Sequence, residues 1–184
     1  MRELKDFTIK EYEKYTELLE MDDVFGIFEL FGLDATKMPM DKYEKSLRKI
    51  QSMSLPTKGV YKHYTVKGTR YKVCLNHLKI KASQFIDFQH HMKDFKIENV
   101  LSVFMIPQYK KWGIWRTHKY NEGYNINEVQ NELYSHMKIG DANELRAFFL
   151  TSSTKLLELM KASLEKREYK MRKKKLKQEG SSLG

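Results

Sequence analysis

The feature that most constrains the fold is a pair of short alternating segments on either side of a glycine-containing turn. Residues 64–66 (Tyr-Thr-Val) and 71–75 (Tyr-Lys-Val-Cys-Leu) alternate apolar and polar side chains, which is the period of a half-buried β-strand. Between them, Gly68 can adopt the positive φ that a tight hairpin needs. A two-stranded hairpin is barely stable alone in water, so it has to pack on other parts of the chain. The side chains predicted for its packed face are Tyr64, Val66, Tyr71, Val73 and Leu75.

The segments before and after the hairpin show the period of amphipathic helices. Thr8 and Glu11 are spaced as a capping box, which predicts the start of a first helix. Apolar residues then recur three to four positions apart in several segments, which predicts further amphipathic helices. The last of these helices before Pro107 is predicted to end at the proline. Residues 108–124 show neither period and are predicted to be irregular. The predicted fold class is therefore α+β and mainly α, with amphipathic helices packed on one β-hairpin.

We predict a single mainly helical domain over residues 1–160. It comprises a helical lobe at 8–53, the hairpin at 61–75 and a second helical lobe at 79–160. Residues 161–184 are predicted to form a basic C-terminal helical extension or a disordered tail. The two lobes repeat the same order of elements, which suggests an internal duplication, and chance similarity between amphipathic helices explains that pattern equally well.

Charge and cysteine content limit the classes of function. Residues 161–184 contain nine Lys or Arg and three Glu, and so carry a net +6 of the chain's formal +10. The one cysteine, Cys74, cannot form an internal disulfide, which argues against a disulfide-stapled secreted fold. No apolar run approaches the roughly 18 residues of a transmembrane helix, so we expect no membrane partner.

The sequence motifs of common enzymes are absent. The chain contains no P-loop, no GxGxxG, GxSxG or HExxH motif and no CxxC pair. His90 and His91 are adjacent and would point about 100° apart on a helix, so exposed helix histidines are the simpler interpretation. We therefore expect no catalytic residue, no metal site and no cofactor, and we predict that the protein is not an enzyme.

The most unusual segment covers residues 109–124, where both tryptophans are interleaved with cationic residues. Such side chains form protein-binding hot spots, and they also stack on bases and neutralise phosphates. A third interpretation is that the tryptophans fold back and cover the core. If they serve a partner, both should be at least partly exposed. The candidate partner-binding residues are Tyr109, Trp112, Trp115, Arg116, Tyr120 and Tyr124.

The basic run near the C-terminus is a second candidate binding segment. It would attract any polyanion with strong salt dependence, and no base-reading motif accompanies it. Nucleic-acid binding by this run should therefore be weak and insensitive to sequence, and a merely solvated chain end is the alternative. The candidate polyanion-binding residues are Lys170, Arg172, Lys173, Lys174, Lys175 and Lys177.

Four stretches occur in an order that is found in a known group of proteins. They are residues 27–33 (IFELFGL), 38–43 (MPMDKY), 66–71 (VKGTRY) and 80–88 (IKASQFIDF). The order is an apolar helix with a short turn, a helix entry, a glycine turn before Tyr-x-Val, and the helix that follows the hairpin. This arrangement resembles small morphogenesis proteins of tailed bacteriophages, especially tail assembly chaperones, and extends over about residues 8–160.

The resemblance implies a non-enzymatic protein that holds an aggregation-prone partner or takes part in building a virion. Its partners would be other phage structural proteins, with a homo-oligomer as a further option. It would act in the host cytoplasm during assembly, and remaining in the virion is a second option. Two alternatives stay open. One is a small basic nucleic-acid-binding module, and the other is a head–tail connector or ring component of the virion.

Overall fold

The computed structural model divides the chain into two compact units, Met1–Ala147 and Phe148–Gly184. The described residues of the second unit, 148–151 and 154, are helical. The tail predicted from residue 161 onward, with its candidate polyanion-binding residues, lies outside the described part of the chain. The structure describes residues 1–55, 59–76, 80–94, 96–151 and 154.

The first unit combines helices with short antiparallel strands. Its helices are α1 (Ile9–Glu20), α2 (Val24–Leu30), α3 (Met40–Gln51), α4 (Ala82–Asp94), α5 (Ile97–Phe104), α6 (Ile126–His136) and α7 (139–147). Its strands are β1 (His63–Val66), β2 (Thr69–Val73), β3 (Met105–Lys111) and β4 (Ile114–Thr117). The predicted class, α+β and mainly α, is confirmed.

The start of α1 is fixed by the capping box that the sequence predicts. The Glu11 N–H donates to Thr8 Oγ1 at 3.2 Å, and the Thr8 N–H donates to the Glu11 carboxylate at 2.9 Å. The guanidinium of Arg2 donates to both carboxylate oxygens of Glu11, at 2.7 and 2.8 Å. The hydrogen bond from Arg2, assisted by Thr8, lowers the pKa of Glu11 from 4.5 to about 2.

The predicted hairpin is confirmed and forms the first half of a four-stranded antiparallel sheet in the order β1–β2–β3–β4. Tyr64 lies opposite Tyr71. Lys67 and Gly68 form a two-residue turn with φ values of 45° and 87°. Two successive positive φ values give a tight turn that matches the twist of the two strands. Leu75, beyond the end of β2, is half-buried. The other side chains predicted for the packed face are buried: Tyr64, Val66, Tyr71 and Val73.

The prediction for the segment around Pro107 is wrong. α5 ends at Phe104 and passes directly into β3, where Pro107 lies opposite Tyr71 of β2. β3 then turns into β4, so part of the segment expected to be irregular is a second hairpin. The Pro107 carbonyl accepts the His118 N–H (3.2 Å) just beyond β4. The proline nitrogen faces the same side of the strand as this carbonyl, so its missing N–H removes no hydrogen bond between β2 and β3.

The core lies between the sheet and the helices, with α5 at its centre. α5 packs against α4 on one side and α6 on the other. The ring of Phe88 in α4 meets that of Phe104 edge-on, with 5.1 Å between centroids. Each large apolar side chain buried in this way contributes about 1.5–3 kcal/mol. The buried apolar residues of α5 are Val100, Leu101, Val103 and Phe104.

The first and last parts of the unit are joined by backbone hydrogen bonds. The Ile9 N–H donates to the Met137 carbonyl at 3.0 Å, and the Ile139 N–H donates to the Phe7 carbonyl at 2.7 Å. Phe7 and Ile139 are fully buried at this junction. The two predicted helical lobes therefore contact each other directly, while the suggested internal duplication stays a prediction.

We expect the stabilisation by the Arg2–Glu11 pair to be lost in acid. The pKa of Glu11 is about 2 in the folded chain against an ordinary 4.5, so its contribution is present above pH 4.5 and disappears as the pH falls towards 2. In urea unfolding, Glu11→Gln should be less stable than the natural chain at pH 7, and the two should converge near the folded pKa. Glu17→Gln, at an exposed position of the same helix, is the control and should show no such convergence.

Candidate functional site

The aromatic and cationic segment forms the end of the β3–β4 hairpin. β3 is buried over its first three residues and exposed over its last three, so the hairpin extends beyond the packed part of the sheet. β4 begins exposed at Ile114 and becomes half-buried only at Thr117. Residues 109–116 are called the hairpin tip below.

The tip closes through a two-residue turn of Trp112 and Gly113. Their φ values are 52° and 78°, and two successive positive values are typical of the turn that matches the twist of a hairpin. Gly113 adopts this conformation without steric cost, whereas a bulky residue such as Trp112 rarely does. The chain therefore accepts backbone strain to hold an indole at the far end of the hairpin, which suggests that the indole itself is used.

The tip exposes several large apolar side chains. Trp112 is 91% exposed, Ile114 63%, Trp115 43% and Tyr109 39%. A tryptophan normally buries much of its large surface, so exposure on this scale is unusual. Both tryptophans are exposed, as expected of residues that serve a partner, and Trp112 does not cover the core.

The structure brings four of the six candidate partner-binding residues to the tip and leaves two outside it. Tyr120 is buried, and its hydroxyl donates to Asp87 Oδ2 of α4 at 2.7 Å. Tyr124 is half-buried, and its hydroxyl accepts the Asn121 N–H at 3.4 Å. The residues at the tip are Tyr109, Trp112, Trp115 and Arg116.

The strand register distributes the tip residues over two faces. Residues directly opposite one another in an antiparallel pair point to the same side of the sheet. Lys110 lies opposite Trp115, and this pair shares one face. The other face carries the alternate residues of the two strands: Tyr109, Lys111, Ile114 and Arg116.

Each tryptophan of the tip has a cation beside its ring. The Nζ of Lys111 lies 5.7 Å from the ring centroid of Trp112, and the guanidinium carbon of Arg70 lies 5.3 Å from that of Trp115. Sequence reasoning missed Arg70, because it belongs to β2 and reaches Trp115 only through the β2–β3 pairing. The alternation of β2 does place Arg70 on the polar face, but nothing local connects it with a tryptophan far along the chain.

An aromatic cluster supports the base of the hairpin. The ring centroid of His118 lies 4.5 Å from that of Tyr109 and 5.9 Å from that of Tyr124. Gly123, with φ of 80°, packs so closely that a Cβ there would lie 2.7 Å from His118 Nδ1. Tyr124 therefore serves to position the tip rather than to extend its exposed surface.

The ionisable groups near the tip offer positive charge and neutral phenols. Burial, reinforced by the hydrogen bond to Asp87, raises the pKa of Tyr120, and burial raises the pKa of Tyr124. Among the described residues, no three His, Cys, Asp or Glu side chains are grouped so that they could hold a metal ion. In the same residues, no helix has the length and apolar character that crossing a membrane requires.

No protein-family model, curated protein or solved structure matches this chain.

Replacing Trp112 by alanine should leave the stability almost unchanged. Its indole is 91% exposed, so its removal opens no cavity and should alter the free energy of unfolding by at most about 0.5 kcal/mol. Tyr71→Ala is the contrast, because it removes a fully buried ring and should cost about 3–5 kcal/mol. Urea unfolding followed by circular dichroism measures both. A loss above about 2 kcal/mol for Trp112→Ala would show that the indole is packed in solution.

Proposed function

We propose that this protein is not an enzyme and that it works by binding another protein through the hairpin tip during the assembly of a tailed-phage virion. The observation that carries the proposal is the indole of Trp112, which is 91% exposed and is held at the end of a hairpin by a turn of positive φ. Exposed large apolar side chains that cluster, as Trp112 does with Ile114, Trp115 and Tyr109 at the tip, are typical of surfaces that a partner covers.

The hairpin tip contains the residue types that are enriched at the centre of protein–protein interfaces. Tryptophan, tyrosine and arginine provide most of the energy in protein interfaces, and the tip holds two, one and one of them respectively. The strands on both sides of the turn are paired in register from Gln108–Thr117 to Lys111–Ile114. Binding through such a preformed element costs little ordering of the backbone, so more of the contact energy remains as affinity.

The setting of phage assembly is supported by the resemblance to tail assembly chaperones. A protein of that kind has to cover apolar surface on an unassembled subunit and keep the complex in solution. Apolar side chains at the tip would provide the contact, and its cationic residues would keep the rim hydrated. The partners would then be other phage structural proteins, met in the host cytoplasm, and the bound protein would leave before completion or stay in the virion.

Nucleic-acid binding is the second candidate function. The observation that favours it is the pairing of each tip tryptophan with a cation, Lys111 for Trp112 and Arg70 for Trp115. Aromatic rings beside positive charges bind single strands by stacking and by neutralising phosphates. Binding of that kind weakens strongly between low and moderate salt, whereas an apolar protein contact does not.

The proposal is tested by coexpressing the tagged full chain with the products of the genes that flank its own gene. We expect the tag to capture a flanking gene product that is a virion component or an assembly factor. Trp112→Ala should reduce that capture about tenfold or more, because truncating an interface hot spot costs about 2 kcal/mol or more. Mass spectrometry identifies the captured protein, and its yield is compared between variants.

A matched control separates the tip from general surface stickiness. Phe25→Ala removes another exposed aromatic ring, 58% exposed on α2, and should leave the capture unchanged. Equal losses for the two variants would contradict binding by the tip. Capture of nucleic acid that is removed by moderate salt would favour the second candidate.

A further inference from the structure

A cavity of about 750 Å³ lies beside the sheet, where β2 and β4 end and α4 begins. Its volume falls within the range of about 300–1,000 Å³ that small-molecule sites occupy. Ile106 of β3 and Thr117 of β4 belong to its lining, and no residue of the hairpin tip does. The cavity is therefore separate from the surface that the proposed protein contact uses.

The walls of the cavity are held in place by hydrogen bonds. Buried Gln84 accepts the Lys81 N–H on Oε1 and donates from Nε2 to the Val103 carbonyl, both at 3.1 Å, which fixes the start of α4. Opposite, the segment after β4 is attached to α4 through the bond from Tyr120 to Asp87. A site built on such supports is formed before any ligand arrives, which lowers the cost of binding.

The lining of the cavity is strongly positive. It contains four lysines but one carboxylate, and the four lysines come from separate parts of the chain. The carboxylate is already neutralised, because Glu122 Oε2 lies 3.3 Å from the Nζ of Lys119. Among the described residues, no carboxylate forms an ion pair with the other three lysines. The charged lining residues are Lys62, Lys72, Lys81, Lys119 and Glu122.

His63, next to two of these lysines, lies in the same positively charged surroundings. His63 lies opposite Lys72 in the β1–β2 pair and so points to the same side of the sheet. Burial, and then the charges of Arg70, Lys62 and Lys72, lower the pKa of His63. Three cations thus act on one ring at this edge of the sheet, where an anion would relieve their mutual repulsion.

We propose that this cavity binds a phosphate-bearing ligand of about the size of a nucleotide. Lysine ammonium groups are common phosphate ligands, and they act as point charges that need no fixed geometry. A phosphate alone would leave most of the volume empty, whereas an organic group can contact the apolar lining of Leu75, Ile106 and Tyr120. A free nucleotide and a nucleotide unit of a single strand present the same chemistry, so both sources are compared in the test.

The test is titration calorimetry on the full chain at low ionic strength, with ATP, inorganic pyrophosphate and a single-stranded oligothymidine as probes. We expect saturable binding of ATP, weakened about tenfold or more in the double variant Lys72→Gln/Lys81→Gln, because two charge-assisted contacts are lost. The matched control is Lys42→Gln/Lys45→Gln, which removes equal charge from exposed positions of α3 and should change the affinity less than about twofold. Thermal melts followed by circular dichroism check that both variants fold.

The outcomes separate the sources and can overturn the proposal. Binding of ATP that depends on Lys72 and Lys81 identifies a free ligand, and binding of the oligothymidine alone with the same dependence identifies a strand. The proposal fails if no probe binds saturably, or if both double variants lose affinity equally, since either result leaves only general attraction to a basic chain. No residue of the hairpin tip lines the cavity, so a failure here does not bear on binding by the hairpin tip.

Discussion

β2 and β3 join two hairpins that lie far apart in the sequence, and neither hairpin would be stable without that pairing. Two isolated strands are marginal in water, whereas four strands backed by helices can bury a continuous apolar face. The pairing also places α5, because Phe104 and Met105 connect this helix to β3 without a linker. The Cys74 N–H donates to the Phe104 carbonyl at 3.0 Å, which fixes β2 to the point where helix becomes strand.

Local features of the fold could be predicted from the sequence, because each depends on residues a few positions apart. The capping box of Thr8 and Glu11 and the turn at Gly68 are of this kind, and both occur as expected. β3 could not be found in the same way. Its first residues, Met105 to Pro107, are buried and continue the apolar run of α5, so no alternation marks the change from helix to strand. Of its two pairing partners, β2 is distant in the sequence and leaves no local signal.

The sequence shows which types of residue are concentrated at the candidate site, but not which of them lie at the exposed tip. The concentration of aromatic and cationic residues falls in the segment that carries the exposed tip. Whether a given tyrosine faces solvent depends on its contacts, and Tyr120 is buried because Asp87 of α4 accepts its hydroxyl. The basic cavity had no sequence signal, since its lysines come from four separate segments of a chain with 34 Lys and Arg residues. Only the folded sheet brings those charges together.

The tip and the cavity are connected by one face of the sheet. Arg70 contacts the ring of Trp115 at the tip, and Lys72, two residues along β2, points to the same side and lines the cavity. Both sites therefore lie on the same four-stranded hydrogen-bonded sheet. Any coupling would be electrostatic, because an anion in the cavity would reduce the positive potential around the cationic residues of the tip. Such effects are screened over about 8 Å at physiological salt, so any mutual influence of the two sites should weaken as the ionic strength rises.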